Sequence, residues 1–173
     1  MLKSPGRSDG WMSRLRHDEI LDSTDARLLT ALADDPRAPV ITLAAALGLS
    51  RNTVQARLAR LEQRHALTSF EHRVEPAALG YPLTAFMTVT VTQRLLDQVS
   101  QALADIPEVV EVFGLSGATD LLVRVVARDA DDLYRIAGSV LATRGVERTE
   151  TALAMRRLVT YRVTGLLQRL LDS

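Results

Sequence analysis

The hydrophobic positions of this chain change their spacing once, near residue 80. Before that point they recur at helical intervals, as Val54, Leu58 and Leu61 do at i, i+4 and i+7. From residue 83 to residue 91, apolar and polar side chains alternate one by one, which is typical of a β-strand with two different faces. The pattern predicts a helical first half and a second half that mixes strands with helices.

Residues 42–64 are predicted to form two short helices joined by a tight turn. Gly48 suits the end of the first helix, since glycine adopts left-handed backbone angles without a Cβ clash. Ser50 can accept a hydrogen bond from the free N–H groups that begin the second helix. An earlier helix, capped by Ser23 or Asp22, supports this pair. Such an arrangement is typical of a helix-turn-helix, whose second helix enters the major groove of DNA.

The exposed faces of that second helix carry the candidate DNA contacts. Its N-terminal end offers polar side chains to base edges, whereas Arg57 and Arg60, one and two turns further on, are placed to meet phosphate. Four arginines and one glutamate give residues 50–64 a net charge of +3, although the whole chain is neutral. Without the turn motif, such a cluster is more often a solvated helix face. The predicted DNA-binding residues are Ser50, Arg51, Asn52, Thr53, Gln55, Arg57 and Arg60.

The second half is predicted to follow the order βαββαβ, which is that of the ferredoxin-like fold. One antiparallel sheet then carries both helices on one face and leaves the other face bare. The bare face is expected to present apolar side chains from several strands, which favours a C2 dimer that packs sheet on sheet. The predicted strands are 83–91, 109–115, 121–127 and 148–155, and the predicted helices are 95–106 and 129–142.

The whole chain is therefore predicted to be an α+β protein with five parts. Residues 157–171 have apolar side chains on one side, so a C-terminal amphipathic helix is expected to cover a sheet edge or a neighbouring subunit. The parts are a flexible tail at 1–20, a winged helix-turn-helix domain at 21–66, a linker strand at 67–80, a ferredoxin-like domain at 81–157 and the C-terminal helix at 158–173.

Composition excludes several classes of chemistry. The chain has no cysteine, which removes disulfides, thiolate metal sites and cysteine nucleophiles. Its three histidines have no metal-ligand spacing, and it has no glycine-rich phosphate loop or nucleophile motif, so neither catalysis nor a cofactor is expected. It has no signal peptide and no apolar run of membrane-spanning length, and a cytoplasmic, nucleoid-associated protein without membrane partners is the expectation.

Taken together, the motifs resemble one known family. They are LDSTDARLL at 21–29, Asp-Pro-Arg at 35–37, LAAALGLSRNTVQARLARLE at 43–62, PEVVEVFGLSGATDLLVRV at 107–125 and GVERTET at 145–151. In order and spacing they are similar to the Lrp/AsnC family of feast/famine transcription regulators. The resemblance covers residues 21 to about 157, and it departs at His65, where family members usually have glycine.

The resemblance implies a RAM or ACT-like regulatory module, a homodimer that assembles further, commonly to an octamer, and an amino-acid effector. The loop before the third strand and the edge of the fourth are implied to line the effector site. There Asp120 could accept from the ligand ammonium, and backbone N–H groups around Gly117 could hold its carboxylate. The alternative is a plain hairpin turn. The predicted effector residues are Gly117, Ala118, Thr119, Asp120, Thr149 and Thr151.

Three functions remain open from the sequence. The leading one is a sequence-specific transcription regulator that binds double-stranded DNA and responds to an amino acid. The second is a nucleoid-associated architectural protein with weak sequence preference. The third, a ligand-binding enzyme of ferredoxin-like fold, is disfavoured because the chain has no catalytic set.

Overall fold

The computed structural model describes residues 21–64, 66–67 and 74–172. These residues form two compact units. The first unit contains the described residues up to 67 together with residues 159–172, and the second contains residues 74–158. No helix in this part of the chain is long and apolar enough to cross a membrane.

In its described residues the first unit has four helices: α1 (Ser23–Asp34), α2 (Val40–Leu47), α3 (Arg51–Gln63) and α6 (Thr164–Leu171). Its core is a set of fully or nearly fully buried side chains from the first three helices, because each helix turns one apolar stripe inward. These core residues are Leu28, Leu43, Ala44, Leu47, Val54 and Leu61.

The turn between α2 and α3 confirms the predicted helix-turn-helix. Gly48 ends α2 with φ +67°, a left-handed conformation that favours glycine. Ser50 caps α3, since its hydroxyl accepts a hydrogen bond of 3.1 Å from the backbone N–H of Thr53. At the start of α1, the cap is Asp22.

The C-terminal helix differs from the prediction. It begins at Thr164, seven residues later than expected, because Val159, Thr160 and Val163 are β-branched and favour extended backbone. The structure places α6 against α1 within the first unit. Its contact with a sheet edge or a neighbouring subunit stays a prediction. Of its expected apolar stripe, Leu167 is buried, while Leu166 is 62% exposed.

The second unit confirms the ferredoxin-like order. Its four strands form one antiparallel sheet in the order β2-β3-β1-β4. The fourth strand begins two residues earlier than predicted, since the turn at Gly145 already places Val146 beside Val91. The elements are β1 (Leu83–Val91), α4 (Leu96–Ala104), β2 (Val109–Gly114), β3 (Leu121–Ala127), α5 (Ala130–Leu141) and β4 (Val146–Leu153).

The two faces of the sheet differ in chemistry. The face under α4 and α5 holds the core of this unit, with Met87, Val89 and Val123 fully buried. The opposite face is not purely apolar, as the sequence had predicted, but mixes apolar and charged side chains. Phe86 and Phe113 are exposed there by 37% and 49%. On the same face, Arg124 and Glu111 form an ion pair with each other at 3.0 Å.

A network of carboxylates and arginines ties the start of α5 to the neighbouring strands. The side chain of Asp132 accepts hydrogen bonds from the backbone N–H of Arg128 at 3.0 Å and from Nη2 of Arg135 at 2.7 Å. Arg135 also donates to the buried carboxylate of Glu108. The hydrogen bonds from the Arg128 backbone and from Arg135 lower the pKa of Asp132 from 3.8 to about 2.

Three predictions concern residues outside the described part of the chain. They are the flexible tail at 1–20, the strand or wing at 67–74, of which residues 68–73 are not described, and His65. Beyond this gap, residues 76–79 of the predicted linker form a turn of 3-10 helix that ends at Gly80.

Candidate nucleic-acid interface and effector loop

The outward face of α3 is a continuous polar surface. Arg51, Asn52, Thr53 and Gln55 are all exposed, as expected of side chains that contact a ligand outside the unit. Ala56 lies between them and the later arginines, so no long side chain blocks the middle of this face. An open depression of about 480 Å³ follows it, lined by Asn52, Thr53, Ala56, Arg57 and Arg60.

The side chains of Ser50 and Thr53 are exposed, and they also form hydrogen bonds within the first turn of α3. Besides accepting from the Thr53 N–H, the Ser50 hydroxyl lies 2.8 Å from the Thr53 hydroxyl. This pair fixes the first turn of α3, the part of a recognition helix that normally enters the major groove. Arg51 and Asn52 project from that fixed turn.

Arg57 and Arg60 have partners within the chain. Nη1 of Arg57 donates to Asp25 Oδ1 at 2.6 Å and to Asp22 Oδ2 at 2.7 Å. Nη2 of Arg60 donates to Asp25 Oδ2 at 2.7 Å. Because these two carboxylates already neutralise the arginines, the predicted phosphate contacts compete with an internal ion-pair network that joins α3 to α1.

The carboxylates that hold these arginines also begin α1. The Asp25 N–H donates to Asp22 Oδ1 at 2.7 Å, and the Asp22 N–H donates to Asp25 Oδ2 at 3.4 Å, a reciprocal capping box. Burial by itself raises the pKa of Asp22, but the hydrogen bonds from Arg57 and the Asp25 N–H outweigh it and lower that pKa. The same hydrogen bonds to Asp22 and Asp25 raise the pKa of Arg57.

In the second unit, the predicted effector loop is anchored through Asp120. Its Oδ2 accepts a hydrogen bond of 2.8 Å from the Val91 N–H, and its Oδ1 accepts one from the side-chain amide of Gln93. The Asp120 N–H donates to the Val89 carbonyl at 3.0 Å. Asp120 therefore fastens the loop to the end of β1.

The other predicted effector residues divide into two groups. Gly117, Ala118 and Thr119 precede Asp120 in the loop, and a Cβ at Gly117 would meet no atom within 4 Å, so the space beside its backbone is open. Thr149 pairs with Val89 and Thr151 with Met87, on the far side of β1. The loop and Thr149 thus lie at the same end of the sheet, two strand spacings or about 10 Å apart.

The sequence indicated Asp22 as a cap of α1, but it did not indicate the partners that hold these groups. Asp22 and Asp25 could be noticed as a D-x-x-D capping pattern, but their pairing with arginines more than thirty positions away could not. The role of Gln93 had no sequence signal. Within the described residues, no three side chains of the metal-ligating types gather to form a metal site.

Comparison with known proteins covers both units. The AsnC-type helix-turn-helix domain matches residues 21–62, and the Lrp/AsnC ligand binding domain matches residues 84–164. These matches contain α1 to α3 up to residue 62, and the four-stranded sheet from residue 84 with its two helices.

Relatives over most of the chain are regulators of transcription. The HTH-type transcriptional regulator AldR of Mycolicibacterium smegmatis is 32% identical over 142 residues, which is 80% of this chain and 83% of AldR. The proline dehydrogenase transcriptional activator of Rhodobacter capsulatus is 32% identical over 145 residues, 82% of this chain and 94% of its own length.

A solved structure supports the same relationship. The feast or famine regulatory protein Rv3291c from M. tuberculosis, complexed with L-methionine, is 30% identical and superimposes with a TM-score of 0.73. The similarity covers 83% of this chain and 97% of that one. With a helix-turn-helix and a ligand-binding module that both match, this chain belongs to the Lrp/AsnC family of transcriptional regulators.

Proposed function

We propose that this regulator binds specific double-stranded DNA sites through α3 and that an amino acid changes its DNA affinity or assembly. The observation that carries the proposal is the exposed first turn of α3, fixed by the Ser50 cap, within a helix-turn-helix unit of this family. A separate unit that matches the family's ligand binding domain supports the effector response.

In this proposal the base edges are contacted from the beginning of α3. Arg51 can donate in a fork to guanine, and Asn52 and Gln55 can bond the edge of adenine. Thr53 adds a methyl group and a hydroxyl. Arg57 and Arg60 act chiefly by fixing the orientation of α3 on α1, because their guanidinium groups are held by Asp22 and Asp25.

The effector is proposed to bind at the loop formed by residues 117–120. The open backbone beside Gly117 can receive the carboxylate of an amino-acid ligand. Asp120 still has free acceptor positions beyond its bonds to Val91 and Gln93, since a carboxylate offers about four. The methionine complex of the M. tuberculosis relative supports an amino acid as the ligand class.

Two copies are proposed to pair through the open face of the sheet. Phe86, Phe113 and the half-buried Leu122 form an apolar area there, on three neighbouring strands. A partner's sheet would remove that area from water, and the resulting C2 dimer would present two α3 helices to one duplex. Further assembly towards an octamer is part of the same proposal.

The proposal is tested by selecting duplexes from a random pool with the full-length protein and footprinting the selected DNA. A short protected palindrome supports a sequence-specific regulator. Protection that repeats over a long region without a shared sequence contradicts it and favours the architectural alternative. Calorimetry with each amino acid then tests the effector, and the absence of heat with all of them contradicts that part.

A further inference from the structure

We propose that α6 and the segment just before it form a second DNA-contacting surface, which binds phosphates of the duplex through Arg162 and Arg169. This inference rests on the proposed DNA-binding function and adds a contact outside the helix-turn-helix. Its ligand is the sugar-phosphate backbone, so it contributes affinity without sequence preference.

The charge of the C-terminal segment is strongly one-sided. Residues 151–171 contain four arginines and no acidic residue, a net charge of +4 in a chain whose total is zero. Arg157 pairs with Glu75 at 3.2 Å. The others are Arg156, Arg162 and Arg169, of which the last two belong to the first unit.

One face of α6 is packed against the protein, and the other is open. Leu167 is only 6% exposed, and α6 packs against α1, which accounts for its apolar side. The opposite side carries Gly165, Leu166 and Arg169, which lie at helical spacing, and Arg162 lies two residues before the helix begins. An open depression of about 330 Å³ is lined by these four residues, Arg162, Gly165, Leu166 and Arg169.

Gly165 creates room between the two arginines. A Cβ at this position would meet no atom within 4 Å, so the backbone is open to an approaching group. No side chain caps the N-terminus of α6. Arg162 and Arg169 therefore flank an open stretch of backbone at the start of α6.

Neither arginine is neutralised by the protein. Both are exposed, and among the described residues neither forms an ion pair. Asp172, the nearest acid in the sequence, accepts instead from the side-chain amide of Gln168 at 3.2 Å. This contrasts with Arg57 and Arg60 on α3, whose charges are balanced by Asp22 and Asp25.

DNA fits this surface better than a membrane does. An interfacial helix needs a free apolar face to insert, whereas the apolar side of α6 already packs against α1. The helix belongs to the same compact unit as α3. DNA is the proposed ligand of α3, so it is also the polyanion available to α6.

The proposed surface lies across the end of the family-model match. The match to the Lrp/AsnC ligand binding domain ends at residue 164, where α6 begins. Arg162 therefore lies inside the matched residues and Arg169 lies beyond them.

The test is the salt dependence of binding to an unrelated duplex, measured with the full-length protein. R162Q/R169Q removes two phosphate contacts, so the slope of log K against log salt falls by about 1.8. Between about 50 and 200 mM salt, the affinity of the variant then declines about twelvefold less than that of the wild type. R162K/R169K keeps both charges and retains most of the slope.

The matched control is R94Q/R144Q, which removes two exposed, unpaired arginines of the second unit and leaves the slope unchanged. An unchanged slope in R162Q/R169Q, with normal binding of the selected duplex, overturns this inference but leaves the proposed function intact. A slope lost equally in R162K/R169K also overturns it, since that indicates a displaced helix. Absence of all DNA binding by the wild type contradicts the proposed function itself.

Discussion

Nη1 of Arg57 lies 2.6 Å from Oδ1 of Asp25, although the two residues are 32 positions apart in the sequence. The Asp25 side chain is 1% exposed and accepts from both Arg57 and Arg60, so one buried carboxylate receives two guanidinium groups of the recognition helix. The orientation of α3 is thereby coupled to the first turn of α1. Removal of that carboxylate should affect both stability and DNA recognition.

We predict that D25N destabilises the first unit by about 1–3 kcal/mol, because it removes a buried charged acceptor of two arginines. Affinity for the selected duplex should fall as well. Denaturant unfolding and fluorescence anisotropy measure the two effects. D34N, at the exposed end of α1, is the control and should change neither. A variant that binds DNA more tightly with a steeper salt slope would show instead that Arg57 and Arg60 are phosphate contacts restrained by Asp25.

Asp120 has two possible roles that different variants separate. D120A should lower the free energy of unfolding by about 1–2 kcal/mol, since the Val91 N–H loses its acceptor, and it should weaken binding of the effector. Q93A removes only the neutral amide that donates to Asp120, so effector affinity should stay within about twofold of the wild type. Calorimetry with equal heats in D120A and the wild type would exclude Asp120 from the effector site.

Acid should destabilise the second unit through Asp132. The folded pKa of about 2 lies below the ordinary value of 3.8, so this carboxylate stabilises the fold fully above about pH 4 and loses that contribution as pH falls towards 2. The thermal midpoint of D132N should therefore change less between pH 5 and pH 2 than that of the wild type. D131N, which alters an exposed acid in the same turn, should behave as the wild type. Identical pH profiles for D132N and the wild type would contradict this role.

Local patterns predicted the regular elements well. Alternation from Leu83 to Val91 defined β1 to the residue, and Gly48 with Ser50 defined the turn before α3. These features depend on the backbone preferences and burial of neighbouring residues, which a single sequence contains.

Tertiary partners could not be predicted in the same way. The pairing of Arg57 with Asp25 and of Asp120 with Val91 depends on how distant segments pack, and no spacing in the sequence encodes it. The late start of α6 had a local cause, since β-branched residues at 159, 160 and 163 outweighed an apolar periodicity that suggested a longer helix.

The central claim is that the first turn of α3 reads DNA sequence. Its most direct test is fluorescence anisotropy with the selected duplex and a scrambled duplex, comparing the wild type, R51A and the control R144A. We predict that R51A loses about 1–3 kcal/mol of affinity for the selected duplex and little for the scrambled one, while R144A keeps both affinities. Equal affinity of R51A and the wild type for the selected duplex would contradict the claim.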